Sequence, residues 1–118
     1  MGHEGWHEAG LSEQAKEFPR ALVSRIAALE AIDWYQQRAD VTREDSLKEV
    51  LLHNLGEEVE HAMMVLEWMR RRHAKIDETA RTYLFTERPI TEIEEEENAV
   101  GAGDAPGKAP ARLRPELH

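Results

Sequence analysis

Between Ser12 and Asp40 the chain contains no glycine and a single proline, Pro19. Ala21, Leu22, Val23, Ile26, Ala27, Ala28, Leu29, Ala31, Ile32, Trp34 and Tyr35 all fall in this stretch. At about 100° per residue they wrap well over half the circumference of a helix, whereas a surface helix needs an apolar stripe only about 100° wide. A helix with that surplus must be covered from more than one side. Ser12 suits its N-cap.

The next residues, DVTRED at 40–45, turn the chain, with Thr42 or Asp45 as the expected cap of a second long helix over 46–73. Its core stripe is Leu47, Leu51, Leu55, Ala62, Val65 and Met69. Arg70, Arg71 and Arg72 stand at its C-terminal end, where cations suit the helix dipole. Residues 76–86 predict a short helix with an aromatic cluster, broken by Pro89, and Thr91 then caps an acidic helix, ITEIEEEEN. After Asn98 the chain is rich in Gly, Pro and Ala, the composition of a disordered tail. The expected organisation is a flexible tail over 1–11, a helical domain over 12–97 and a second tail over 98–118. The expected fold class is all-α: a two-helix antiparallel hairpin plus short C-terminal helices. Two helices this apolar cannot bury their own faces, so dimerisation into a four-helix bundle is the simplest remedy.

Composition removes whole classes of function. The 118 residues suffice for one domain and include no cysteine, which excludes disulfides, thiolate metal sites and cysteine nucleophiles. A net charge of -9 argues against nucleic acid as a partner. No apolar run approaches the roughly 18–20 residues of a membrane span, and no secretory signal pattern opens the chain, so a soluble cytoplasmic protein is expected. There is no Gly-rich phosphate loop, no His-Glu-x-x-His zinc motif and no nucleophile–base pair. His3, His7 and His118 lie in the terminal segments, leaving too few histidines for a hemerythrin-like site.

The dense stretch is HNLGEEVEH, residues 53–61. Glu58 and His61 are three apart and can share a ligand on one helix face. Glu58 also falls within the apolar stripe, seven residues from both Leu51 and Val65. A lone carboxylate there is costly to ionise and needs protonation, a cationic partner or a metal. The alternative to a metal is a buried Glu hydrogen-bonded to His or Arg. His53, Glu57 and Glu60, spaced i, i+4, i+7, form a separate stripe: a solvated charged face, a weak outer cation site or an interface. In carboxylate-bridged di-iron bundles two helices each give a Glu and two give Glu-x-x-His. A symmetric dimer supplies two Glu58/His61 pairs. With the turn near residues 42–43, Glu58 faces residues 27–28, which are Ala27 and Ala28. Glu30 points about 200° away from Ala28, so it is no simple substitute within the same subunit pair, though it could face another interface.

ALEAIDWYQQRAD (28–40), HNLGEEVEHAMMVLEWMRRR (53–72) and RTYLFTERPIT (81–91) together resemble the encapsulated ferritins, the ferritin-like cargo of encapsulin nanocompartments. The resemblance covers about residues 15–97. It implies a ferritin-like four-helix bundle formed by pairing of two-helix chains, a decameric ring, an encapsulin shell partner and oxidation of Fe(II) to Fe(III) at a di-iron centre between subunits. It implies Glu58 as bridging carboxylate, His61 as histidine ligand, and Trp34 and Tyr35 as aromatics beside the centre. Glu30 becomes an acid that draws metal toward the centre, and His53, Glu57 and Glu60 an outer patch. These acidic sites would take calcium or another divalent cation. The family usually reads EELEA where this chain reads AALEA, so Ala28 stands where the helix-one ligand is expected and Ala27 where a second acid is expected. The resemblance also implies a short docking peptide at the end, for which Leu113 and Leu117 are the candidates. The functional expectations are a ferroxidase, slowed by the missing ligand, and, as alternatives, a non-catalytic metal-binding assembly module or an ordinary dimeric bundle without metal.

Overall fold

The structure, a computed structural model, describes residues 6–103. Among the described residues there are four α-helices and no strand: α1 (Glu17–Val41), α2 (Asp45–Arg70), α3 (Ala74–Tyr83) and α4 (Ile90–Gly103). The helices fall into two compact units, residues 1–69 and 70–118. The docking-peptide candidates Leu113 and Leu117, and the tail residues His3 and His118, lie outside the described residues.

In the first unit, the Ser12 hydroxyl accepts from the Ala15 N–H at 3.0 Å, a cap one turn short of the long helix it was expected to open, since the N-cap of α1 is Lys16. The cap opens a one-turn 3₁₀ helix, Gln14–Lys16, that leads straight into α1. Pro19 sits in the first turn of α1, where its missing N–H costs no helical bond. The Trp6 ring lies beneath the cations of Lys16 (5.4 Å) and Arg20 (5.8 Å). The cap of α2 differs from expectation. Neither Thr42 nor Asp45 fills that role: the Glu44 carboxylate accepts from the Ser46 N–H (3.0 Å) and the Leu47 N–H (3.3 Å). Thr42 acts one step earlier, accepting from the Glu44 N–H. These bonds, the Ser46 hydroxyl first, hold the Glu44 carboxyl below its ordinary value.

Two contacts fix how α1 lies against α2. The Phe18 and Trp68 rings meet with centroids 6.4 Å apart, and the Arg25 Nε–H donates to the Ala62 carbonyl at 3.2 Å. The helices are antiparallel. Moving ten residues up α1 from Phe18 reaches Ala28; moving ten down α2 from Trp68 reaches Glu58. The buried side chains of this unit are Ala28, Ala39, Ala62 and Met69. Of the expected α2 core stripe, only Ala62 and Met69 are buried; Leu51, Leu55 and Val65 are half-buried and Leu47 is exposed. The reason is arithmetic of faces: one neighbouring helix covers one side, and small alanines at the contact do the covering. Leu22, Ile26 and Leu29 on α1, and Leu52, Val59 and Met63 on α2, remain exposed at helical spacing.

In the second unit, the His73 Nδ1 accepts from the Ile76 N–H at 3.3 Å and caps α3, so the helix starts earlier than the sequence suggested. Asp77 binds Arg70 and, with both oxygens, the Arg81 Nε (3.1 and 3.2 Å). Burial pushes this carboxyl up, and the Arg81 and Arg70 guanidiniums outweigh it, holding it below its ordinary value. The expected aromatic cluster does not form as one element. Phe85 lies beyond the end of α3 in a left-handed conformation (φ 64°) and is 91% exposed. Arg88 grips Glu96 with two bonds, 2.7 and 3.2 Å, and α4 continues past Asn98 to Gly103.

Candidate metal centre

The helical spacing of Glu58 and His61 on α2 brings them together: the Glu58 Oε1 and His61 Nδ1 are 3.5 Å apart. Glu58 is 27% exposed and His61 55%. The carboxylate is thus not sealed into a core in one chain, as its place in the apolar stripe had suggested. It stands at the mouth of a face that one chain leaves open. A carboxylate and an imidazole side by side are hard-to-borderline donors suited to Fe(II) and similar divalent ions. They supply two ligands, and among the described residues no three His, Asp or Glu side chains converge. The donor pair therefore fits half of a shared centre and no more.

By the register that Phe18–Trp68 and Arg25–Ala62 set, Ala28 stands level with Glu58, and it is 6% exposed. Glu30 is exposed, on the far side of α1 from Ala28. Tyr35, seven residues on from Ala28, shares its face and is half-buried, about 10 Å further along the axis. Trp34 is turned some 120° away from Ala28 and exposed, stacked under the Arg38 guanidinium at 5.8 Å. On the outer stripe, His53 Nε2 and Glu57 Oε2 approach to 3.4 Å, both exposed. Glu60 is exposed one turn further and joins no cluster of three with them.

One residue beside the centre was not singled out from sequence. Arg25 is half-buried, one turn before Ala28 on α1, and bonds the carbonyl of the residue that follows His61. The signal was there: it is the one charged residue in the run ALVSRIAAL.

Known proteins share this arrangement of sequence and fold. The EncFtn-like family profile matches residues 3–87. A ferritin-like protein of Thermotoga maritima is 48% identical over 93 residues, which span 77% of this chain and 82% of that protein. An encapsulated ferritin-like protein of Rhodospirillum rubrum is 49% identical over 104 residues, 86% of this chain and 74% of that protein. The crystal structure of protein ne0167 from Nitrosomonas europaea superposes with a TM-score of 0.71 at 42% identity, covering 74% of this chain and 98% of that one. With a profile that takes in both long helices and α3, and relatives nearly half identical along most of their own length, the chain belongs to the EncFtn-like family.

Proposed function

We propose that the chain is a ferroxidase whose centre is completed by a second copy of itself. The observation that carries this is the Glu58–His61 pair, 3.5 Å apart on a helix face that one chain leaves open. In a symmetric dimer the pair and its mate supply two carboxylates and two imidazoles. The Fe(II) substrate takes its ligands from the Glu58 carboxylate and the His61 imidazole, and water fills the place across from Glu58 where Ala28 offers none. Each Fe(II) gives up one electron, dioxygen accepts the electrons, and protons from water complete its reduction. Tyr35, on the face of Ala28, and Trp34 flank the centre. Glu30, and the His53–Glu57 pair with Glu60, draw or hold divalent cations such as calcium outside it.

The name of the Rhodospirillum rubrum relative supports an encapsulin shell as partner. The Fe(III) product is then held as mineral by the shell, and the chain works inside that nanocompartment in the cytoplasm as a ring of dimers, a decamer. No helix among the described residues is long and apolar enough to cross a membrane. The deciding experiment is oxygen consumption per Fe(II) added to metal-free protein, for the natural chain and Glu58→Ala. A clear loss in the variant is expected; equal rates sink the ferroxidase assignment. Ala28 favours a second reading, a non-catalytic metal-binding assembly module, in which Fe(II) binds at Glu58 but consumes no oxygen above the buffer rate.

A further inference from the structure

Four positions frame the Glu58 site: Arg25 and Ala28 on α1, Glu58 and Ala62 on α2. The Arg25 Nε–H reaches across to the Ala62 carbonyl at 3.2 Å, and Ala62 is fully buried at that crossing. Ala62 is one helical turn from Glu58 along α2 and directly follows His61, so the carbonyl that holds Arg25 belongs to the same two turns of α2 as both ligands. Arginine stays protonated at any physiological pH. One chain thus sets one permanent cation on the α1 side of the Glu58–His61 pair, and Ala28 adds no carboxylate to offset it.

We propose that Arg25 is the residue that determines how strongly the Glu58–His61 site holds cations: its fixed charge, anchored by the Ala62 carbonyl, opposes metal binding, most of all for the higher-charged ion. The inference rests on the metal-site assignment above. Coulomb repulsion scales with ionic charge, so a fixed cation at this distance penalises Fe(III) more than Fe(II). Arg25 therefore makes the site a place of transit, which takes up a divalent substrate weakly and releases the trivalent product readily. The Ala62 bond explains why the charge acts on the site at all. An untethered arginine would swing its head into water, where screening removes the effect.

The test is Co(II) binding to the metal-free full-length chain, followed by calorimetry and by the visible absorption of bound cobalt. The variants are Arg25→Gln, which keeps a donor and loses the charge, Arg25→Lys, which keeps the charge, and Glu58→Ala alone and combined with Arg25→Gln. Arg25→Gln is expected to tighten Co(II) binding by at least about tenfold, a low bound for a unit charge a turn away from a divalent ion. Arg25→Lys should stay within about threefold of the natural chain by the same reasoning, and Glu58→Ala should erase the gain. If Glu58→Ala weakens binding while Arg25→Gln changes nothing, the site stands and the role of Arg25 falls. If lysine and glutamine tighten binding equally, the effect is packing rather than charge, and the proposal is overturned. If Glu58→Ala leaves binding unchanged in both backgrounds, the site assignment itself fails. Circular dichroism checks that each variant is helical, and Arg25→Met repeats the charge-loss arm should glutamine not fold.

Discussion

In the register set by Phe18 against Trp68, Ala28 stands level with Glu58 and is buried, and in the proposed centre this single side chain leaves one carboxylate fewer. Ala28→Glu should raise the rate of Fe(II) oxidation by at least about tenfold, the scale on which even supporting interactions alter metal sites. It should also destabilise the metal-free protein by about 1–3 kcal/mol, because a larger, charged side chain is forced into a close contact beside Glu58. Divalent metal should reverse that loss. Thermal unfolding with and without Co(II), beside stopped-flow oxidation, reads both effects; a rate unchanged by the substitution contradicts the role given to position 28. The helical count alone put two alanines, residues 27–28, opposite Glu58, and the family resemblance singled out position 28. The presence of Arg25 beside it was not weighed, because periodicity marks which face a residue occupies but not which carbonyl its side chain reaches.

At the scale of elements, the helices are held by their ends as much as by their faces. Glu44 caps α2 through the N–H groups of Ser46 and Leu47, and Asp77 ties Arg70 to Arg81 around the start of α3. Both carboxyls sit below their ordinary values of 4.5 and 3.8. A depressed carboxyl contributes stability that is whole above its ordinary value and drains away as pH falls through the lowered one. Helicity is therefore expected to hold from neutral pH to the ordinary carboxyl range and to decline below it, with Glu44→Ala and Asp77→Asn flattening that decline in an acid titration followed by circular dichroism. At neutral pH, Asp77→Asn should cost about 1 kcal/mol in urea unfolding, a modest figure because the side chain is still 30% exposed. Glu44 was overlooked as a cap because Glu is not among the favoured N-cap residues. Its longer side chain folds back from just before the helix and reaches the same N–H groups that a Ser or Asp would take.

At the scale of the whole molecule, the apolar surplus that opened the sequence is still unspent. Leu22, Ile26 and Leu29 line one stripe of α1, and Leu52, Val59 and Met63 one stripe of α2, all exposed in the single chain. Gly56 lies within the α2 stripe, and a Cβ built there meets nothing within 4 Å. That leaves room for a close helix approach. Burying one such Leu, Ile, Val or Met side chain contributes about 1.5–3 kcal/mol, so these six exposed side chains strongly favour association. Light scattering should find the natural chain associated at micromolar concentration, with a melting temperature that rises with concentration. Ile26→Glu or Met63→Glu should shift it toward monomer and cut Fe(II) oxidation together, since the proposed centre needs two copies. A monomeric natural chain with undiminished oxidation would contradict both.

Sequence alone determined what local spacing controls. The all-helical class, the two long helices, the pairing of Glu58 with His61 and the place of residues 27–28 opposite Glu58 all follow from a period of 3.6 residues and the position of one turn. The family resemblance followed from the same segments. Tertiary structure decided what depends on side-chain reach and on how much one neighbour can cover. It put the Arg25 guanidinium on the Ala62 carbonyl, made Glu44 the cap of α2, and left Glu58 partly open to water. Residue spacing says which way a side chain departs from the helix. Where a long side chain ends, and whether anything lies over it, depends on residues far away in the chain.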